Sequence, residues 1–346
     1  MRTFYCFKAT NHKIRFSVDC DPKILSKIYS LHYWLEHSLE KTTVKDINFN
    51  VSINEIDQFN DTNHDITYFY GNSLGKGENK IVYTLENWLR IEIHFELFLK
   101  INIQYILVKP HKLKDIVKSL LNRRMLRSIN EERIIRAMRF SLHFPIFYFL
   151  KKLGSYEIYH GSVVANKDRC LALMGFDGVG KTTSAVGLVK WFDYELLSDN
   201  FTILDESGFV VPFVDNLRLN NDSVLKLGLN RFRKIRNRIA LNPEDLGIPI
   251  SKKRRKVTHI HLLKRAISHE TTSINKTTLL RDLSFSMHHL LPEFVEQNIF
   301  FSLMTLNETV DFEHFKSNFD KFKVSELVMS KLADLPTTLK AIHNAY

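Results

Sequence analysis

Three cysteines in 346 residues, Cys6, Cys20 and Cys170, are too few and too unevenly spaced for a disulfide framework or a cysteine-built metal site. A reducing cytoplasm is therefore the expected setting. Long apolar runs are missing too. The most apolar stretch, residues 140–150, is well short of the ~20 residues that span a bilayer, and it carries His143. The opening Met1-Arg2-Thr3-Phe4-Tyr5-Cys6 lacks the apolar core of a signal peptide, so no membrane partner is expected. No internal repeat and no low-complexity linker is visible. With 44% hydrophobic and 25% charged residues, the chain has the composition of a folded soluble protein, which excludes disorder over most of its length. Its length accommodates two domains, each with a core of its own.

Positive charge is in surplus, at a formal +11, and it is concentrated. Within residues 231–265, twelve Lys or Arg stand against Glu244 and Asp245, a local surplus of ten. One reading is a solvated surface. The other is an electropositive face for nucleotide phosphates, an acidic peptide or nucleic acid. Stacking on single strands needs aromatics among the cations, and only Phe232 lies near the start of this stretch, so nucleic acid ranks behind the other partners.

Along the chain, residues 3–7, 13–18, 47–53 and 66–70 alternate in the manner of strands. Residues 22–39 read as a helix with Asp21 as N-cap. Residues 80–108 are again rich in strand signals, with Ile91, Ile93 and Phe95 on one face and Ile101, Ile103 and Tyr105 on another strand's face. Residues 112–121 and 131–150 read as helices, the second kinked or broken at Pro145. A strand over 155–165, a turn at 166–168 and a strand over 170–174 lead into a glycine-rich loop and a helix over 181–191. Short strands follow at 194–197, 201–204 and 209–214. The expected organisation is a small α+β module over 1–110, a helical connection over 111–154 and a nucleotide-binding α/β domain with a mixed sheet over 155–346.

Residues 175–183 read Gly-Phe-Asp-Gly-Val-Gly-Lys-Thr-Thr and satisfy G-x-x-x-x-G-K-[ST] through Gly175, Gly180, Lys181 and Thr182. Such a loop wraps with positive φ and turns backbone N–H groups toward phosphate oxygens. Lys181 adds a mobile charge for the β and γ phosphates, the Thr182 hydroxyl can ligate magnesium, and the following helix offers its N-terminal dipole. Gly178, Val179 and Thr183 complete the set expected around the nucleotide. ATP and Mg²⁺ are the cofactors this implies. A strand running in and a helix running out are the context the motif requires.

An acid must complete the metal site, and Asp199 follows Leu196-Leu197 at an expected strand end. Its other reading is a turn residue that caps the next segment. Asn200, beside it, can orient a group but cannot accept a proton. Asp177, inside the loop, is a further catalytic candidate or a loop-stabilising acceptor. His160, on the strand before the loop, is carried as a catalytic candidate beside the reading of a structural histidine.

The run His160-Gly161-Ser162, the loop over 175–183 and the segment Leu196-Leu197-Ser198-Asp199-Asn200 together resemble the C-terminal domain of HPr kinase/phosphorylase, a P-loop kinase related to ATP-dependent phosphoenolpyruvate carboxykinase. The resemblance covers about residues 155–215. It implies transfer of the γ-phosphoryl group of ATP to a serine hydroxyl of a peptide, protein or small molecule. It also implies Lys181 and Thr182 at the phosphate and magnesium positions and Asp199 at the first acidic position. Asn200 stands where the family's second acid, its general base, is expected. The base then falls to Asp199 or Asp177, or the chain is a catalytically weak ATP-binding regulator that holds an acidic partner or nucleic acid through residues 231–265. A nucleoside kinase is a third option, against which the His-Gly strand and the early Asp199 argue. Assembly as a homo-oligomer is compatible with each.

Overall fold

The structure, a computed structural model, describes residues 2–7, 13–31, 33–34, 38–59, 66–69, 74–108, 129–154, 156–229, 238–266, 278–281, 317, 319–330 and 334–344. The chain is a mixed α/β protein with two large mixed sheets, divided between compact units Met1–Leu153 and Gly154–Tyr346. The helix expected over 112–121 and the basic segment 230–237 lie outside the described residues. Among those described, no helix is long and apolar enough to cross a membrane.

The first unit is built on strands β1 (Arg2–Phe7), β2 (Ile14–Cys20), β3 (Leu39–Lys41), β4 (Phe49–Glu55), β5 (Thr67–Phe69), β6 (Leu74–Lys76), β7 (Lys80–Leu85), β8 (Leu89–Phe95) and β9 (Leu99–Tyr105). They lie in the order β3-β1-β2-β4-β9-β8-β7-β6-β5, with β2, β4 and β9 parallel and the other neighbours antiparallel. Period-two alternation sets the register. Ile91 faces Ile103 and Ile93 faces Ile101 across β8 and β9, and all four side chains are buried. The Asp21 carboxylate accepts from the Lys23 N–H at 2.7 Å and starts α1, Pro22–Leu31.

That helix is shorter than its sequence suggests. Leu39 leaves the helical pattern because its backbone pairs with Phe7 on β1, where its side chain is buried. Residues 129–154 form one bent helical segment: α2 over 129–138, a π-helical turn at Arg139–His143, then α3 over Phe144–Gly154. Pro145 has no N–H, and its ring crowds the carbonyl of Ser141 one turn back. The wider π turn absorbs that mismatch, so the helix bends without breaking. Residues 129–153 fall within the first unit. Phe149 stacks on Phe49 with ring centres 5.7 Å apart, and Phe49 stacks on Phe16 at 4.8 Å.

The second unit carries β10 (Glu157–Ala165), β11 (Cys170–Met174), β12 (Glu195–Ser198), β13 (Phe201–Leu204), β14 (Phe209–Val211), β15 (Leu217–Asn220), β16 (Arg238–Leu241), β17 (Arg255–Lys256), β18 (His259–Ala266) and β19 (Lys323–Ser330). Its main sheet runs β17-β14-β13-β10-β11-β18-β19, with β12 also on β10 and with β11, β18 and β19 parallel. The helices are α4 (Lys181–Trp191), α5 (Asn221–Lys226) and α6 (Leu335–Asn344). A Cβ added at Gly187 would stand 2.5 Å from Leu339 Cδ1, so the glycine is what lets α6 lie close on α4.

His261 is buried on β18, and its Nδ1 shares a 2.8 Å hydrogen bond with Ser325 Oγ on β19. Burial, with His259 beside it, pushes the imidazole down to about 3. Below about pH 6.5 the unfolded chain takes up a proton that the folded chain refuses, so stability is lost as pH falls through that window. We expect the denaturant midpoint of the full chain to fall between about pH 6.5 and 3, and the fall to be shallower in His261→Asn. A variant whose pH dependence equals the wild type's places the acid sensitivity elsewhere.

Candidate functional site

Strand β11 is buried along its whole length and ends at Met174, where the chain turns sharply. Gly175, Gly178 and Gly180 have φ of 135°, 77° and 104°, in the left-handed region that side chains avoid. At Gly175 the demand is doubled, since a Cβ there would stand 2.5 Å from the Leu263 carbonyl oxygen of β18. Gly180 then starts α4, whose first residues are Lys181, Thr182 and Thr183. The loop-and-helix context required by the glycine motif is therefore present.

Lys181 is 6% exposed, and its Nζ donates to the Gly175 and Phe176 carbonyls at 2.8 and 2.9 Å. The ammonium is thus held inside the curl of the loop. Val179 is buried and its carbonyl accepts from Arg265 Nε at 3.2 Å; neither Val179 nor Gly175 borders the pocket described below. Thr183 turns its hydroxyl to Ser223 Oγ at 2.7 Å. Asp177 is exposed, and its Oδ1 accepts from the Gly178 N–H at 2.9 Å, the loop-stabilising bond anticipated for it.

The acidic segment is brought in by β10. Strands β12 and β13 both pair with β10, and a register shift at Val163 and Val164 accommodates the two. The connection between them is the tight turn Asp199-Asn200, closed by the Phe201 N–H on the Asp199 carbonyl at 2.9 Å. His160 and Ser162 are two apart on β10 and share a face. Ser162 Oγ donates to Asp199 Oδ1 at 2.5 Å, and His160 Nδ1 lies 2.9 Å from the Asn200 carbonyl oxygen. From the other side, Thr182 Oγ1 donates to the same Asp199 Oδ1 at 2.9 Å. Asn200 adopts φ of 71°, a left-handed conformation that Asn tolerates.

Asp199 is 5% exposed. Burial raises its carboxyl above the usual carboxylate range, against the hydrogen bonds from Ser162 and Thr182 and the charge of Lys181. Hard oxygen donors this close to a phosphate loop suit Mg²⁺, which binds through one or two protein oxygens and completes its shell with phosphate and water. Among the described residues no three His, Cys, Asp or Glu side chains gather as a metal site, so an ion held by Thr182 and Asp199 would draw on nucleotide oxygens as well.

His160, Asp177, Gly178, Gly180, Lys181, Thr182, Thr183, Asp199 and Asn200 border one pocket. Its further wall is Asp215, Asn216, Arg218, Asn220 and Ser223, with Arg265 from the end of β18. Sequence reasoning missed this wall. The available signal was the crowd of polar residues over 215–223 directly after the apolar 209–214 strand. Ser162 belongs to the His-Gly-Ser run, but no local pattern announces its bond to Asp199. The basic stretch, where described, is not one solvated face. Arg254 pairs with Asp205, Lys264 pairs with Glu326 at 2.7 Å, and Arg265 reaches the pocket, whereas Lys252 and Lys253 are exposed.

No protein-family profile matches the sequence, and no curated protein does. Among solved structures, the Hpr(Ser) kinase/phosphatase from Coxiella burnetii matches with a TM-score of 0.25 and 8% identity, over 55% of this chain and 95% of that one. This is a distant structural likeness.

Replacing Lys181 by Ala removes the charge cradled by the loop. A charge-assisted hydrogen bond is worth about 1.5–3 kcal/mol, so affinity for ATP with Mg²⁺ is expected to drop by roughly tenfold to a hundredfold. Calorimetry on the folded variant checks this; unchanged affinity would mean that the loop does not bind nucleotide.

Proposed function

We propose that the Gly154–Tyr346 unit is an ATP-dependent kinase that transfers the γ-phosphoryl group to a serine-type hydroxyl of a peptide, protein or small molecule. The observation that carries this reading is the meeting of Ser162, Thr182 and Asp199 at the mouth of the phosphate loop, with hydroxyl-to-carboxylate distances of 2.5 and 2.9 Å. A loop that only held phosphate would need no buried carboxylate there. One that works on phosphate with Mg²⁺ does, because the carboxylate anchors the ion that neutralises charge on the transferring group.

The roles follow from position. Backbone N–H groups of the loop and the N-terminus of α4 would hold the phosphate chain. Lys181 would exchange its two loop carbonyls for phosphate oxygens. Thr182 and Asp199 would hold Mg²⁺, which supplies charge neutralisation when bound. The polar residues Asp215, Asn216 and Arg218 border the same pocket as the loop and would offer donors and acceptors for the group that carries the hydroxyl.

A second reading, an ATP-binding regulator with little turnover, draws on Asn200, which supplies an amide where a carboxylate base was expected. In that reading the exposed Lys252 and Lys253 belong to a surface for an acidic partner.

The two readings separate on product. ATP with Mg²⁺ and a panel of hydroxyl acceptors is expected to yield an acceptor heavier by one phosphoryl group, read by mass spectrometry. Asp199→Ala is expected to lower that yield by about 10²-fold or more while ATP affinity changes much less. ATP bound tightly by the wild type with no phosphorylated acceptor and no phosphate release would favour the regulator.

A further inference from the structure

We propose that His160 is the base that accepts the acceptor hydroxyl's proton, in the place that Asn200 cannot fill. This rests on the kinase reading above. The Asn200 carbonyl oxygen, 2.9 Å from His160 Nδ1, can only accept a hydrogen bond, so Nδ1 is the nitrogen that carries hydrogen. A neutral imidazole has one N–H. Nε2 is then the atom with the lone pair, and the tautomer is fixed by a backbone group rather than by a titrating neighbour.

Place and chemistry agree with that tautomer. His160 is 9% exposed and borders the same pocket as Lys181, Thr182 and Asp199. It stands two residues from Ser162 on β10, so one strand face carries the imidazole and the hydroxyl that bonds Asp199. The left-handed turn at Asn200 is what presents its carbonyl to the ring. The other proton acceptors are worse placed. Asp199 already takes two hydroxyl hydrogen bonds on Oδ1 and is the expected metal ligand. Asp177 is exposed and bonded to its own loop. Asp215 accepts from the Asn216 N–H at 2.9 Å and is the rival acceptor on the pocket wall. Imidazole is also the stronger base of the two types.

In the step, the acceptor oxygen forms its bond to the γ-phosphorus and its proton passes to His160 Nε2. The bond from that phosphorus to the β–γ bridging oxygen breaks, and ADP leaves with the electron pair. The imidazolium returns its proton to solvent after product release. No oxidant or further reactant is needed. Asn200 thereby changes from a missing base into the residue whose backbone sets the tautomer.

The test uses the full chain with ATP and Mg²⁺, and with water, free L-serine and a serine-containing peptide as acceptors. His160→Asn keeps an N–H where Nδ1 lies and removes the lone pair at Nε2. It is expected to bind ATP as the wild type does and to lose about 10²–10⁴-fold in turnover. ¹⁵N spectra of the wild-type histidines should show His160 protonated at Nδ1 and bare at Nε2, which needs no turnover to observe. The proposal is overturned by an Nε2–H tautomer. It is equally overturned if His160→Asn turns over like wild type while His160→Ala does not, which makes the ring a strut, or if Asp215→Asn alone removes turnover. In each of these cases the kinase reading survives. A wild type that phosphorylates none of the three acceptors takes down that reading, and this inference with it.

Discussion

Asp199 Oδ1 accepts hydrogen bonds from two hydroxyls that arrive from different directions, Ser162 on β10 and Thr182 on α4. A carboxylate at 5% exposure is costly unless its lone pairs are satisfied, and burial alone pushes it toward the neutral form. The two hydroxyls and Lys181 offset that cost. Much of the second unit's geometry follows from bringing them together. The strand before the loop must carry a hydroxyl at position 162, the helix after the loop must begin with one, and the turn between β12 and β13 must be tight enough to insert the acid between them. Loosening any one of these would leave a buried carboxylate without its partners.

The same economy holds for the positive charge. Lys181 is bound by two carbonyls of its own loop, so the ammonium is desolvated in place and the curl of the loop is already formed around it. On the proposed kinase reading, nucleotide binding would then be an exchange of acceptors for a charge already in position, with little reorganisation. Arg265 is tied to the Val179 carbonyl in a similar way, so two cations approach the loop from different elements while the loop's backbone sets where each can go.

What could be read in the sequence was what depends on local rules. The phosphate loop was legible because a positive-φ turn between a buried strand and a helix leaves few residue choices, and all three glycines take that conformation. The strands over 91–105 were legible because their side chains alternate. That residue 39 leaves the helical stretch was not, because Leu39 is claimed by pairing with Phe7, a partner 32 positions away that no local pattern reveals. Pro145 announced a disturbance, but whether the helix would break or widen depended on its packing, including Phe149 on Phe49. The pocket wall over 215–223 stayed hidden for a like reason. Its polar residues look like any loop until the fold sets them opposite residues 160–200. Ser162 was an ordinary strand serine until Asp199 met it.

The glycines of the loop answer to different masters. Gly178 has nothing within 4 Å of where a side chain would begin, so its constraint is the twist of the backbone alone. Gly175 is pressed against the Leu263 carbonyl of the neighbouring strand, and that contact belongs to the sheet, not to the ligand. A descendant of this chain with no ligand at this loop would still have to keep Gly175 in order to close its sheet. The first glycine of the motif is therefore a record of architecture, and among this protein's descendants the survival of chemistry would be read instead from whether the buried lysine and the buried acid persist together.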